Sequence, residues 1–126
     1  MKKLKILIAE DEDILMSLFS EIVEEFCEEL FTAIDGEEAV RICQNHPEID
    51  LVLMDIRMPK LDGLEATRKI REFNKDVLIF AQTAFAFPED KNEAIAAGCD
   101  EYLAKPVDEE LLKSLIEKHL GGHSSN

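Results

Sequence analysis

Five side chains in this sequence could together hold and accept a phosphoryl group: the carboxyls of Glu10, Asp11 and Asp55, the hydroxyl of Thr83 and the ammonium of Lys105. Three carboxylates gathered at one point repel one another and raise each other's pKa values unless a cation sits among them. A hard divalent ion such as Mg2+ (or Mn2+) suits such a site, because it takes about six oxygens and keeps some of its waters. Phosphoryl transfer asks mainly for positioning and charge neutralisation. Asp55 would then be a carboxylate nucleophile forming an acyl phosphate. Lys105 would supply a point charge to the same phosphoryl group, and Thr83 a hydroxyl donor. Taken singly, each residue has a plainer reading. The run Glu10-Asp11-Glu12-Asp13 could be a solvated helix start, where acids favour the helix dipole. Asp55 could be a loop or cap residue, Thr83 structural and Lys105 a surface lysine.

What joins them is position, since each stands at or just past the end of a short apolar run. Leu4 to Ala9 reads as a buried strand, and Ile14, Leu15, Leu18, Phe19, Ile22, Val23 and Phe26 then recur at helical spacing. Leu30 to Ile34 is a weaker strand, Asp35-Gly36 a turn and Glu37 to Asn45 a helix. Asp50 to Met54 is the third strand. Arg57 to Gly63, with Pro59, is a loop before a helix over Leu64 to Phe73. Val77 to Ala81 is the fourth strand and Phe87 to Ala97 a helix, with Gly98 placed to end it in the left-handed conformation. Tyr102 to Ala104 is the fifth strand. Val107 to Leu120 is the last helix, with Leu111, Leu112, Leu115 and Ile116 expected on its inner face.

Five strand–helix repeats predict an α/β fold with a parallel sheet and helices on both faces. Five strands suit the doubly wound, flavodoxin-like (βα)5 order 2-1-3-4-5. Ligands of such sheets bind outside the carboxyl ends of the strands, where strand order reverses. That edge collects the ends of the first, third, fourth and fifth strands, and so all five residues named above. Residues 1–120 are expected to form one domain and residues 121–126 a flexible tail.

Composition narrows the partners. The 126 residues carry a formal net charge of −14, which disfavours direct contact with nucleic acid or an anionic membrane. Cys27, Cys43 and Cys99 are odd in number and widely spaced, so they are expected as buried thiols rather than a disulfide framework or a zinc site. The apolar run after Met1 is too short for a signal peptide or a membrane span, which predicts a cytoplasmic protein without membrane insertion.

Several segments together carry a resemblance. They are Ile6-Leu7-Ile8-Ala9-Glu10-Asp11-Glu12, Asp50-Leu51-Val52-Leu53-Met54-Asp55-Ile56-Arg57-Met58-Pro59, Leu61-Asp62-Gly63, Thr83-Ala84 and Ala97-Gly98-Cys99-Asp100-Glu101-Tyr102-Leu103-Ala104-Lys105-Pro106. In this order and at these spacings, over Lys3 to Leu120, the chain resembles the receiver domains of two-component response regulators. The resemblance implies a phosphorelay role. Asp55 would take a phosphoryl group from the phosphohistidine of a histidine kinase or a histidine phosphotransfer domain. Glu10, Asp11 and Asp55, with the backbone carbonyl of Arg57, would hold Mg2+. Thr83 and Lys105 would contact the phosphoryl group, and Tyr102 would turn inward as Thr83 moves. The Lys105-Pro106 bond would be cis. The surface of the fourth helix, fifth strand and fifth helix would change on phosphorylation and could form a homodimer. Such a protein is a signalling phosphoacceptor that assists its own phosphorylation and dephosphorylation, not an enzyme acting on external substrates.

Two departures matter. Glu10 stands where Asp is commoner, a variant often seen in receivers attached to hybrid sensor histidine kinases. Glu reaches further than Asp and is able to bind metal through water. Arg57 and Phe85 stand two residues after Asp55 and Thr83, where bulk is expected to hinder water and slow loss of the phosphoryl group. Arg57 also weighs against an aspartate-nucleophile phosphatase, which needs a second Asp at that position as general acid. A receiver fold kept only for interaction would usually lack one of the acids or the lysine. A ligand-binding flavodoxin-like protein would show a Gly- or Ser/Thr-rich loop after the first strand to cradle a ligand phosphate, where this sequence has a block of acids.

Overall fold

The computed structural model describes residues 3–84 and 88–120. Five parallel strands stand in the order β2-β1-β3-β4-β5, as the repeat pattern predicts. They are β1 (Leu4–Ala9), β2 (Cys27–Ala33), β3 (Leu51–Asp55), β4 (Leu78–Thr83) and β5 (Glu101–Ala104). Between and after them run α1 (Asp13–Val23), α2 (Gly36–Asn45), α3 (Gly63–Phe73), α4 (Pro88–Ala97) and α5 (Glu109–Leu120).

Alternation along each strand divides the core in two. Leu7, Ala9, Val52, Met54, Ile79 and Ala81 face one way, into a cluster with Ala39, Cys43, Ala66, Ile70 and Ala94 of α2, α3 and α4. Ile6, Ile8, Leu51, Leu53, Phe80 and Leu103 face the other, onto Phe19 and Ile22 of α1 and Leu112 and Ile116 of α5. The three central strands are therefore apolar on both faces, which is why they read as continuous hydrophobic runs.

Helix starts are specified locally. The Asp35 side chain accepts from the Glu38 N–H at 2.8 Å while Glu38 accepts from the Ile34 N–H at 2.9 Å, a reciprocal cap for α2. Asp62 accepts from the Glu65 N–H at 2.9 Å to start α3. Gly98 ends α4 with φ +116°, a positive φ as expected there.

Several boundaries differ from the sequence reading. Strand β2 begins at Cys27 rather than Leu30, directly after a 3-10 turn over Glu24–Phe26. It is an edge strand, so Glu28, Glu29 and Leu30 stay exposed and dilute its apolar signal. Cys27 is accordingly half-buried, whereas Cys43 and Cys99 are buried, and all three are free thiols. Helix α5 starts at Glu109, not Val107, because Asp108 accepts from the N–H groups of Glu110 and Leu111 at 3.0 and 3.2 Å. That start turns Leu111 outward to 46% exposure. The inner face is carried by Leu112 and Ile116, with Leu115 partly buried. The expected tail 121–126 lies outside the described residues. Among the described residues no helix is long and apolar enough to cross a membrane.

Candidate functional site

The strand order places the ends of β1, β3, β4 and β5 along one edge of the sheet, and the acids meet there. Carboxyl oxygens of Glu10, Asp11 and Asp55 all lie within 4.8 Å of one another. Glu10 is 1% exposed and Asp55 3%, while Asp11 faces solvent. The Lys105 ammonium reaches into this group from β5, 3.1 Å from Glu10 Oε1 and 3.3 Å from Asp55 Oδ1.

Local backbone fixes the acids. Asp55 Oδ1 accepts from the Arg57 N–H at 3.2 Å, and Glu10 Oε2 from the Glu12 N–H at 3.2 Å. Gly63 lets α3 start against the end of β3. A Cβ there would stand 2.2 Å from the Asp55 carbonyl oxygen, and its own N–H donates to the Ile56 carbonyl at 2.8 Å. Lys105 is tied to the sheet by its N–H, which donates to the Thr83 carbonyl at 2.8 Å, and the Lys105-Pro106 peptide is cis.

Like charges and burial set the electrostatics. Burial, then the Asp55 charge, pushes the Glu10 carboxyl up to about 7, although Lys105 and the Glu12 N–H pull it down. Burial likewise raises Asp55, against the lowering effect of Lys105 and the Arg57 N–H. Burial alone would lower Lys105, but the Asp55 and Glu10 carboxylates outweigh it and hold the ammonium above its ordinary value. The site thus carries more negative charge than one lysine balances. That donor set of hard oxygens fits a small divalent cation.

Thr83 is 2% exposed at the end of β4 and lines a cleft of about 270 Å3 with Ile56, Arg57, Asp62, Leu64, Asp90 and Glu93. Tyr102 sits on β5 in register with Ala81, half-buried against the α2–α3–α4 core. Burial, then the Asp90 charge, raises its phenol, and Arg57 lowers it. Phe85 lies outside the described residues. One polar side chain at this edge does not stand out in the sequence as a site residue. Gln82 is fully buried beside Asp55 in register, and both its amide atoms lack a partner among the described residues. Its sequence signal is a lone amide in the otherwise apolar run from Val77 to Ala84, broken elsewhere only by Thr83.

The response regulator receiver domain model matches residues 6–117. The polar-differentiation response regulator DivK of Brucella anthropi is 31% identical over 118 residues, covering 92% of this chain and 95% of its own. The receiver domain of sensor histidine kinase PA1611 from Pseudomonas aeruginosa, solved with magnesium in its active-site cleft, is 32% identical with TM-score 0.81, covering 92% of this chain and 96% of that one. The receiver domain of Ssk1 from Saccharomyces cerevisiae, solved with the histidine phosphotransfer protein Ypd1, is 32% identical with TM-score 0.85, covering 93% and 88%. The chain belongs to the response regulator receiver family and is a signalling phosphoacceptor domain of two-component systems.

Proposed function

We propose that Asp55 is the phosphorylated residue, that Glu10, Asp11, Asp55 and the Arg57 carbonyl hold Mg2+ (or Mn2+), and that Thr83 and Lys105 receive the phosphoryl oxygens. The observation that carries this reading is the Lys105 ammonium bridging Glu10 and Asp55 inside the three-acid cluster. A bound divalent ion would offset the acids' repulsion and accept phosphoryl oxygens.

Asp55 attacks phosphorus through a carboxylate oxygen. An O–P bond forms, the N–P bond of a phosphohistidine breaks, and the leaving imidazole takes a proton. Lys105 stays within reach of the charge that gathers on the transferred group, and its fixed backbone N–H keeps the stem in place. The donor is another domain or protein, a histidine kinase or a histidine phosphotransfer domain. His46 pairs with Glu48 and His119 with Glu101 at the start of β5, the far end of the sheet from Asp55, and His123 lies outside the described residues.

The half-buried Tyr102 and the exposed Ile95 and Leu111 make α4–β5–α5 the surface that changes partner or pairs with a second copy on phosphorylation. Self-catalysed dephosphorylation is slow in this reading, because bulky Arg57 and Phe85 stand two residues after Asp55 and Thr83 in the sequence, where bulk hinders water. Arg57→Asn and Phe85→Glu variants are expected to lose the phosphoryl group faster, as read by intact mass against time. Cytoplasmic placement follows from the same partners.

The test of the whole reading is beryllofluoride with Mg2+, followed by amide NMR. Asp55, Thr83, Tyr102 and Lys105 should shift together in the wild type and stay unmoved in Asp55→Asn. An unchanged wild-type spectrum would overturn it.

A further inference from the structure

A buried amide with no partner is unfavourable in any protein, and among the described residues Gln82 is one in both of its polar atoms. Its backbone is not at fault, since its carbonyl accepts from the Ile56 N–H at 3.0 Å. Register shows where the side chain lies. Gln82 pairs with Asp55 on one side and Leu103 on the other, and partners in register share a face. Phe80 and Leu103 pack toward α1 and α5, so Gln82 does too, on the face from which Glu10 and Asp55 rise.

Lys105 crosses that place. It is rooted two residues beyond Leu103, past the end of β5, yet its ammonium contacts acids at the ends of β3 and β1. Neighbouring strands lie about 4.8 Å apart, so its stem must pass over the end of β4. The ammonium has three N–H donors, and the two carboxylates use two. A donor with capacity to spare thus runs past an acceptor with nothing to accept.

We infer that Gln82 is a positioning residue for Lys105, its amide oxygen taking an ammonium N–H once a phosphoryl group on Asp55 draws the lysine away from Glu10. This rests on the receiver reading above. The contact exists in one state and is missing in the other, so it shifts the equilibrium between them. In the unmodified protein Gln82 stores an unmade hydrogen bond, and in the phosphoryl-bearing form it steadies the lysine over the new charge.

The sign of two measurements separates this from a packing role. Gln82→Leu and Gln82→Met remove the amide at similar volume. Both are expected to leave the thermal stability of the unmodified, metal-free protein equal to or above wild type. Both are expected to weaken beryllofluoride–Mg2+ binding about threefold to tenfold, the span one hydrogen bond supports. In wild type the Lys105 side-chain nitrogen resonance should shift on beryllofluoride binding, and in Gln82→Met that shift should shrink. If Gln82→Leu fails to fold, Gln82→Met decides. Binding within about twofold of wild type, or binding lost only in step with stability, overturns the inference. A wild type that does not respond to beryllofluoride overturns the receiver reading itself, so the two failures are told apart.

Discussion

The two ends of the sheet handle charge in opposite ways. At the amino end of β4, Arg71 of α3 closes a paired network. Its guanidinium donates to the carbonyls of Gly98, Asn74 and Val77 at 3.0, 3.2 and 2.6 Å, and to Asp100 at 3.0 Å. Asp100 in turn accepts from the Ile79 N–H at 2.9 Å. Each of these groups has a partner, and the network ties α3, β4 and the turn before β5 together. At the carboxyl end, two buried acids share a single lysine, a third acid stands exposed beside them, and a neighbouring amide has no partner among the described residues. One end is arranged for stability. The other keeps unbalanced charge, which a cation and a phosphoryl group can satisfy.

The largest expected effect breaks the second end outright. Asp55→Asn removes the proposed nucleophile, so incubation with acetyl phosphate and Mg2+ should give no mass increase where wild type gives one phosphoryl group. The same variant relieves repulsion with Glu10, so its thermal midpoint without metal should be equal or higher. A midpoint well below wild type would show that the carboxylate serves the fold rather than the site.

Arg71→Met tests the other end. Most of the Arg71 side chain is buried, and its loss leaves three carbonyls and Asp100 short of a donor. A loss of about 3 kcal/mol in urea unfolding is expected, with beryllofluoride binding by the folded fraction unchanged. Lys105→Met should reverse that pattern. Phosphorylation slows by more than about tenfold, because a charge on the transferred group goes unanswered. Stability falls by about 2 kcal/mol at pH 8, where Glu10 and Asp55 lose their shared cation, and by less at pH 5, where Glu10 keeps its proton.

The contrast also explains what the sequence could show. Strand identity was legible because parity along β1, β3 and β4 leaves nearly unbroken apolar runs, and the site was legible because strand order alone brings Glu10, Asp55 and Lys105 to one edge. The start of β2 was not, since an edge strand half in water reads as polar. Nor was the outward turn of Leu111, which depends on where Asp108 begins the helix. The Arg71 network and the orphaned Gln82 amide were out of reach for a different reason. Each is defined by partners distant in sequence, present in one case and missing in the other.

The smallest effect sharpens the comparison through pH. Glu10 has an ordinary carboxyl value of 4.5 in the unfolded chain and is pushed up to about 7 in the fold, first by burial and then by Asp55. Below pH 4.5 both states hold the proton and Glu10 favours neither. Between 4.5 and about 7 the unfolded chain releases it while the fold keeps it, so stability falls as pH rises through that window. The loss should be complete by about pH 8, seen as the difference in unfolding midpoint between wild type and Glu10→Gln in chelator. Excess Mg2+ should cancel or reverse the slope, because an ion bound to the folded carboxylates stabilises that state by mass action, and more so as their protons leave. A wild-type curve parallel to that of Glu10→Gln from pH 5 to pH 8 would mean that the acids at this edge do not strain the fold, and the contrast between the two ends would lose its basis.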